Sequence, residues 1–188
     1  MQRLFIAIAI PATIARQLAK RQPKAAKNIK LIEAAQLHLT LHFVGDANLE
    51  AIDSLLSPII CRAFILQLSG PGCFGSLKRG MTLWWGVKAQ MELLALKDAV
   101  TQSLLTLPEL KNKIKTERNE FRPHITLARC ASGVEQKTVA AFLRQPPLPK
   151  HKFPVTEFAL YSSKTEPSGI SYHLEKRYLL REPSKVVS

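Results

Sequence analysis

Two short stretches, His38-Leu-Thr-Leu41 and His124-Ile-Thr-Leu127, decide how this chain is read. Each starts at a histidine, skips one apolar residue to a threonine, and runs on into apolar residues. In a β-strand successive side chains point to opposite faces. His38 and Thr40 would then share one face, with Leu37, Leu39, Leu41 and Phe43 on the other. In the second copy His124 and Thr126 lie together, opposite Ile125 and Leu127. Each copy reads as a core strand whose other face offers an imidazole beside a hydroxyl. Packing alone gives a histidine no reason to recur at the same place in both.

The composition frames that reading. With 188 residues and 46% hydrophobic content, the chain is long and apolar enough to bury a full core. The apolar run Leu4–Ile10 is far too short to span a membrane. It also lacks the cleavage pattern of a signal peptide, since Pro11 and a basic helix follow it. Cys61, Cys73 and Cys130 form neither a disulfide framework nor a metal-ligand spacing, which points to a reducing, cytoplasmic setting. A net charge of +13 favours a polyanionic partner.

Along the chain, Arg3–Ile10 reads as a buried strand and Pro11 or Ala12 opens a helix to about Gln22. Residues 23–35 read as partly loop. The first histidine strand, Leu37–Val44, stops at Gly45-Asp46. Asp46 or Asn48 caps a helix that carries Ile52, Leu55 and Leu56 to Pro58 or slightly beyond. Ala63–Leu68 is a strand. Ser69–Gly80, with four glycines, a proline and the cations Lys78 and Arg79, reads as a loop. Strand Met81–Val87 and helix Met91–Leu105 follow, then the basic stretch Leu110–Phe121. The second histidine strand, Pro123–Arg129, precedes helix Val134–Leu143 and a proline-rich connection, Pro146–Pro154. Two strands, Val155–Ser162 and Ile170–Leu180, close the chain around a polar loop. The alternation is α+β, in two halves dividing near Gly86, with a cleft between lobes. The last two strands are placed so that they can return to the first lobe.

Histidine both takes and gives protons near neutral pH. A pair facing one phosphorus can divide the work, one deprotonating the nucleophile and the other protonating the leaving oxygen. Thr40 and Thr126, about 6–7 Å along each strand from the histidines, can hold the non-bridging oxygens as neutral donors. Arg122 shares the parity of His124 if the strand reaches it, and would suit a phosphate or ribose oxygen. Lys78 and Arg79, with Lys111, Lys113, Lys115 and Arg118, offer charge to a polyanionic backbone. His42 lies about 13 Å from His38 on a regular strand, too far to share a phosphorus or a metal, and reads as a rim histidine. No HxH or HxxEH pattern and no carboxylate accompany the motif strands, so neither a metal nor another cofactor is expected. No Gly-x-Ser-x-Gly elbow supplies a nucleophile.

At these residues the chain resembles the 2H phosphoesterase superfamily, in particular the bacterial and archaeal RNA 2',3'-cyclic phosphodiesterases long labelled 2'-5' RNA ligases. The likeness runs through Arg3–Pro11, Leu37–Gly45, Thr82–Val87, Phe121–Arg129, Phe158–Ser163 and Tyr172–Leu174. It implies one domain over residues 1–188, made of two duplicated αβ lobes whose antiparallel or mixed sheets face a central cleft. It also implies a metal-free hydrolase that opens a 2',3'-cyclic phosphate on RNA or a nucleotide to a 2'-phosphate. His38 would be the proton donor and His124 the acceptor, with Thr40 and Thr126 beside them. The expected protein is a monomer. Ligation through 2'-5' linkages, or RNA binding without turnover, are the rival readings of the same residues.

Overall fold

The computed structural model describes residues 1–111, 121–148, 150–166 and 169–182. Among them the strands are β1 (Gln2–Ala9), β2 (Ile29–Leu31), β3 (His38–Ala47), β4 (Phe64–Ser76), β5 (Gly80–Val87), β6 (His124–Cys130), β7 (Lys152–Val155), β8 (Glu157–Glu166) and β9 (Gly169–Leu179). The helices are α1 (Ala12–Ala19), α2 (Leu49–Leu56), α3 (Met91–Leu104) and α4 (Gln136–Leu143), with a 3₁₀ turn at Ala34–Gln36. Asn48, rather than Asp46, caps α2, its Oδ1 accepting from the Ala51 N–H at 2.8 Å.

The strands follow one another in the order β7-β4-β5-β6-β3-β1-β8-β9, with β2 on β6, and every neighbouring pair is antiparallel. The two histidine strands are therefore central and adjacent. They meet at a single opposed pair, Leu39 and Ile125, and diverge on either side. This seam divides the curled sheet into a first lobe (β3, β1, β8, β9) and a second lobe (β6, β5, β4, β7).

Chain order and lobe membership do not coincide: the two halves of the chain meet at the turn between β4 and β5, a few residues before Gly86, which lies inside β5. α3 follows β5 of the second lobe yet packs on β3, and its Ser103 hydroxyl donates to the Leu55 carbonyl of α2 at 2.6 Å. The chain just beyond α1, which follows β1, docks on the second lobe. There Gln145 Nε2 donates to the Arg21 carbonyl at 2.8 Å, and the Arg21 guanidinium lies over Trp85 at 5.8 Å. The closing strands β8 and β9 do return to the first lobe, through β1.

Three segments differ from their sequence reading. Ser69–Gly80 is no loop: β4 runs through Ser76, paired with β5 from Leu68↔Val87 to Ser76↔Gly80. Its glycines serve the strand. Gly72 lies under the Trp84 indole, where a Cβ would come within 2.1 Å of the ring, and Gly75 and Gly80 (φ 88° and 98°) bracket the short turn. The proline-rich connection contains β7, and Pro154 is tolerated there because β7 is an edge strand. The first histidine strand passes through Gly45 (φ 80°) at an irregularity opposite Leu4 and Phe5, and ends at Ala47.

His42 is also misplaced by the simple alternation. It is 4% exposed, on the core side of β3, and not on the rim. Desolvation first, and the Lys97 charge second, push its pKa down to about 4. In the unfolded chain the ordinary value is near 6.5, so between pH 6.5 and 4 the unfolded state binds a proton that the native state refuses. Stability is then highest above pH 6.5 and is lost as pH falls through this window. In urea titrations, His42→Leu should flatten the slope of stability against pH between 6.5 and 4 by up to about 1.4 kcal/mol per pH unit. An unchanged slope would mean that His42 is not the buried neutral group.

Candidate active site

Because Leu39 and Ile125 face the core at the seam, their neighbours face the cleft. His38, Thr40, His124 and Thr126, all half-buried, line one cavity of about 190 Å³ on the concave side. Antiparallel pairing sets His38 across from Thr126 and His124 across from Thr40. The two imidazoles are held alike. His38 Nδ1 lies 2.7 Å from the Gln36 carbonyl, and His124 Nδ1 lies 2.7 Å from the Arg122 carbonyl. A carbonyl only accepts, so each Nδ1 carries a hydrogen and each Nε2 is left to exchange protons in the cleft.

Each imidazole is also walled by aromatic rings. Tyr172 meets His38 edge-on at 5.1 Å and Phe5 lies 5.0 Å away; Phe74 meets His124 edge-on at 4.9 Å, with Trp84 at 5.8 Å. This packing desolvates both rings and lowers both pKa values, against the raising effect of the carbonyl bonds. For His38 the positive charges of Arg129 and His124 lower it further.

The second shared feature is a bulge just after each threonine. Against β1, Ala7 pairs with Thr40 but Ile6 pairs with His42, so Leu41 is an extra residue. Against β5, Trp84 pairs with Thr126 but Leu83 pairs with Ala128, so Leu127 is the extra one. Past each bulge the alternation is reversed. Leu41 and His42, like Leu127 and Ala128, are both buried. Phe43 and Arg129 then turn onto the cleft side and line it. Phe43 therefore does not join the leucines on the core face. Arg129 is the cation that the sequence reading overlooked: strict alternation assigns it to the face opposite its true one.

Other sequence candidates fall elsewhere. Arg122 precedes β6 and holds His124 through its backbone carbonyl; its side chain is exposed and does not line the cleft. Lys78 and Arg79 are exposed in the turn between β4 and β5, beyond the Arg129 end of β6, and do not line it either. Lys113, Lys115 and Arg118 lie outside the described residues. A larger hollow of about 470 Å³, between the end of α1 and α4, has lysines and amides around Phe142 but no group suited to proton transfer near neutral pH. Among the described residues, no three His, Cys, Asp or Glu side chains gather as a metal site, and no helix is long and apolar enough to cross a membrane.

Comparison with known proteins agrees with this architecture. The family model described as the 2'-5' RNA ligase superfamily matches residues 10–167. The chain is 30% identical to the RNA 2',3'-cyclic phosphodiesterase of Escherichia coli K12, over 96% of this chain and 98% of that protein. It superposes on a crystal structure of a Thermus thermophilus protein with a TM-score of 0.77 at 26% identity, covering 96% and 98% of the two chains. With E. coli LigT complexed with 3'-AMP the TM-score is 0.71 at 30% identity, covering 95% and 97%. The region matched by the family model contains both histidine strands, and the chain belongs to the 2'-5' RNA ligase superfamily, in the LigT-like RNA 2',3'-cyclic phosphodiesterase family of 2H phosphoesterases.

Proposed function

We propose that this protein hydrolyses 2',3'-cyclic phosphate ends of RNA to 2'-phosphates, without a metal. The observation that carries the reading is the block formed by His38, Thr126, His124 and Thr40, with both imidazoles presenting Nε2 to one cavity. The names of the relatives and the nucleotide complexes of E. coli LigT support the substrate class.

In this scheme the phosphorus sits over the seam. His124 Nε2 takes a proton from water as the water oxygen bonds to phosphorus, in line with O3'. The P–O3' bond breaks and His38 Nε2 gives its proton to O3', leaving the phosphate on O2'. The Thr40 and Thr126 hydroxyls donate to the non-bridging oxygens, and Arg129 faces the charge that builds on them. The Arg129 charge beside His38 also makes its imidazolium a stronger acid, which suits proton donation. Binding of the anionic phosphate opposes that effect and supplies the protonated form.

His38→Ala and His124→Ala should each lower kcat about 10²-fold or more, with the fold retained by circular dichroism. A substrate with sulfur in place of O3' needs little protonation of its leaving group. It should restore His38→Ala and not His124→Ala; the opposite pattern would exchange the two roles. Wild-type turnover should persist in excess chelator, and loss restored by a divalent ion would overturn the metal-free mechanism.

Both histidines are shifted below 6.5, so kcat/KM should follow a bell centred on the acid side of neutrality, with limbs that belong to the pair. Arg129→Met removes a positive charge that disfavours the His38 imidazolium, and should move one limb to higher pH. Identical limbs in both proteins would show that this charge does not reach His38.

A further inference from the structure

The bulge after Thr126 is held by a side chain from the other end of the chain. On the β5 side Leu127 is the extra residue, and a bulge locally disrupts the ladder. On the other side β2 keeps one register with β6 from Ile29↔Cys130 to Leu31↔Ala128, and the Ile32 N–H then donates to the Leu127 carbonyl at 2.9 Å. Gln22 Nε2 donates to that same carbonyl at 2.9 Å and to the Ile32 carbonyl at 2.6 Å. An amide nitrogen carries two hydrogens, and these two bonds use both. Gln22 lies just past α1, 105 positions from Leu127. It does not line the cleft but the hollow between the end of α1 and α4. Its neighbour anchors it there: the Arg21 carbonyl accepts from Gln145 Nε2 at 2.8 Å, and the Arg21 guanidinium lies over Trp85.

We propose that Gln22 is a positioning residue for the reaction: its two bonds hold the bulge at Leu127, and the bulge keeps Arg129 on the cleft side. The competing conformation is a plain strand. Erasing the bulge restores strict alternation beyond Thr126 and carries Arg129 to the opposite face. His124 and Thr126 come before the bulge and flank Ile125, which the seam with Leu39 fixes. Gln22 therefore acts through Arg129 and leaves the second histidine and threonine where they are. The proposal rests on the cyclic phosphodiesterase reading and adds to it a residue that never meets the substrate.

The test uses Gln22→Met, which keeps the length of the side chain and removes both donors. With adenosine 2',3'-cyclic phosphate, kcat should fall about tenfold or more, with KM changed far less, since Arg129 faces charge that builds in the transition state. Beside Arg129, the groups that bear on His38 are His124 on β6, Tyr172 of β9 edge-on to its ring, and Arg3 of β1 in the same cleft. Loss of Arg129 from the cleft should raise the His38 pKa, read by NMR titration of the imidazole, in the same direction as Arg129→Met. Gln22→Met/Arg129→Met should lie within about threefold of Arg129→Met in kcat, because the second change removes what the first one acts through. Ser103→Ala deletes a comparable side-chain bond to a carbonyl, between α3 and α2; it should lower the melting temperature and leave kcat and the His38 titration alone. Should Gln22→Met fail to fold, Gln22→Asn, one methylene too short to span both carbonyls, should move kcat and the His38 titration the same way. An unchanged His38 titration in the Gln22 variant, losses that multiply in the double variant, or the same changes in Ser103→Ala would each overturn the positioning role while leaving the cyclic phosphodiesterase reading intact. A wild type without turnover would overturn the reaction on which the role rests, and the NMR titration would still decide whether Gln22 places Arg129.

Discussion

A single opposed pair of side chains, Leu39 and Ile125, governs the concave face of this protein. Both are fully buried where the two lobes join. Burying residues of this kind stabilises by roughly 1.5–3 kcal/mol each, enough to fix the facing of both strands at the seam. Once these two point into the core, the pleat sends His38, Thr40, His124 and Thr126 into the cleft. Slipping either strand by one residue would bury an imidazole and a hydroxyl and expose leucine. Core packing and site assembly are thus settled by the same register.

The site then has to carry desolvated imidazoles without fixed counter-charges. Each ring is enclosed by aromatic neighbours, which disfavours the charged form, and each is partly compensated by a carbonyl that accepts from Nδ1. That bond fixes the tautomer as well as the ring's orientation. The threonines add donors and no charge, so the fixed charge of the cleft comes from the arginines that line it, Arg129 on β6 and Arg3 on β1. An anion entering such a site gains from hydrogen bonds that are already aimed.

The sequence was most legible where periodicity was regular. The two histidine strands, the apolar opening strand and helices α1 to α4 all follow from the spacing of apolar residues. Glycine was the main source of error. Between Ser69 and Gly80 glycines looked like loop punctuation, whereas Gly72 is needed so that an indole can lie on the strand. The proline-rich segment before Val155 hid β7, because proline is compatible with an edge strand, and edge position is a tertiary fact. The bulges after Thr40 and Thr126 escaped for a related reason. An extra residue is detectable only against the partner strand, so His42, Phe43 and Arg129 were each assigned to the wrong face or given no role. Recurrence of Leu after both threonines was the only local trace.

The exchange of elements between lobes has a consequence for how such a chain could arise. The run β1-α1-β3-α2-β4 parallels the run β5-α3-β6-α4-β8. In each run the first helix covers, or leads onto, the lobe of the other run, and the last strand completes the other run's sheet. A polypeptide of half this length could not close its own core, but two copies could do so by trading those pieces across a two-fold axis. The present molecule has the topology of a swapped dimer whose subunits have been fused. In that topology the two histidines occupy equivalent places, and Phe43 and Arg129 mark where equivalent places differ in chemistry.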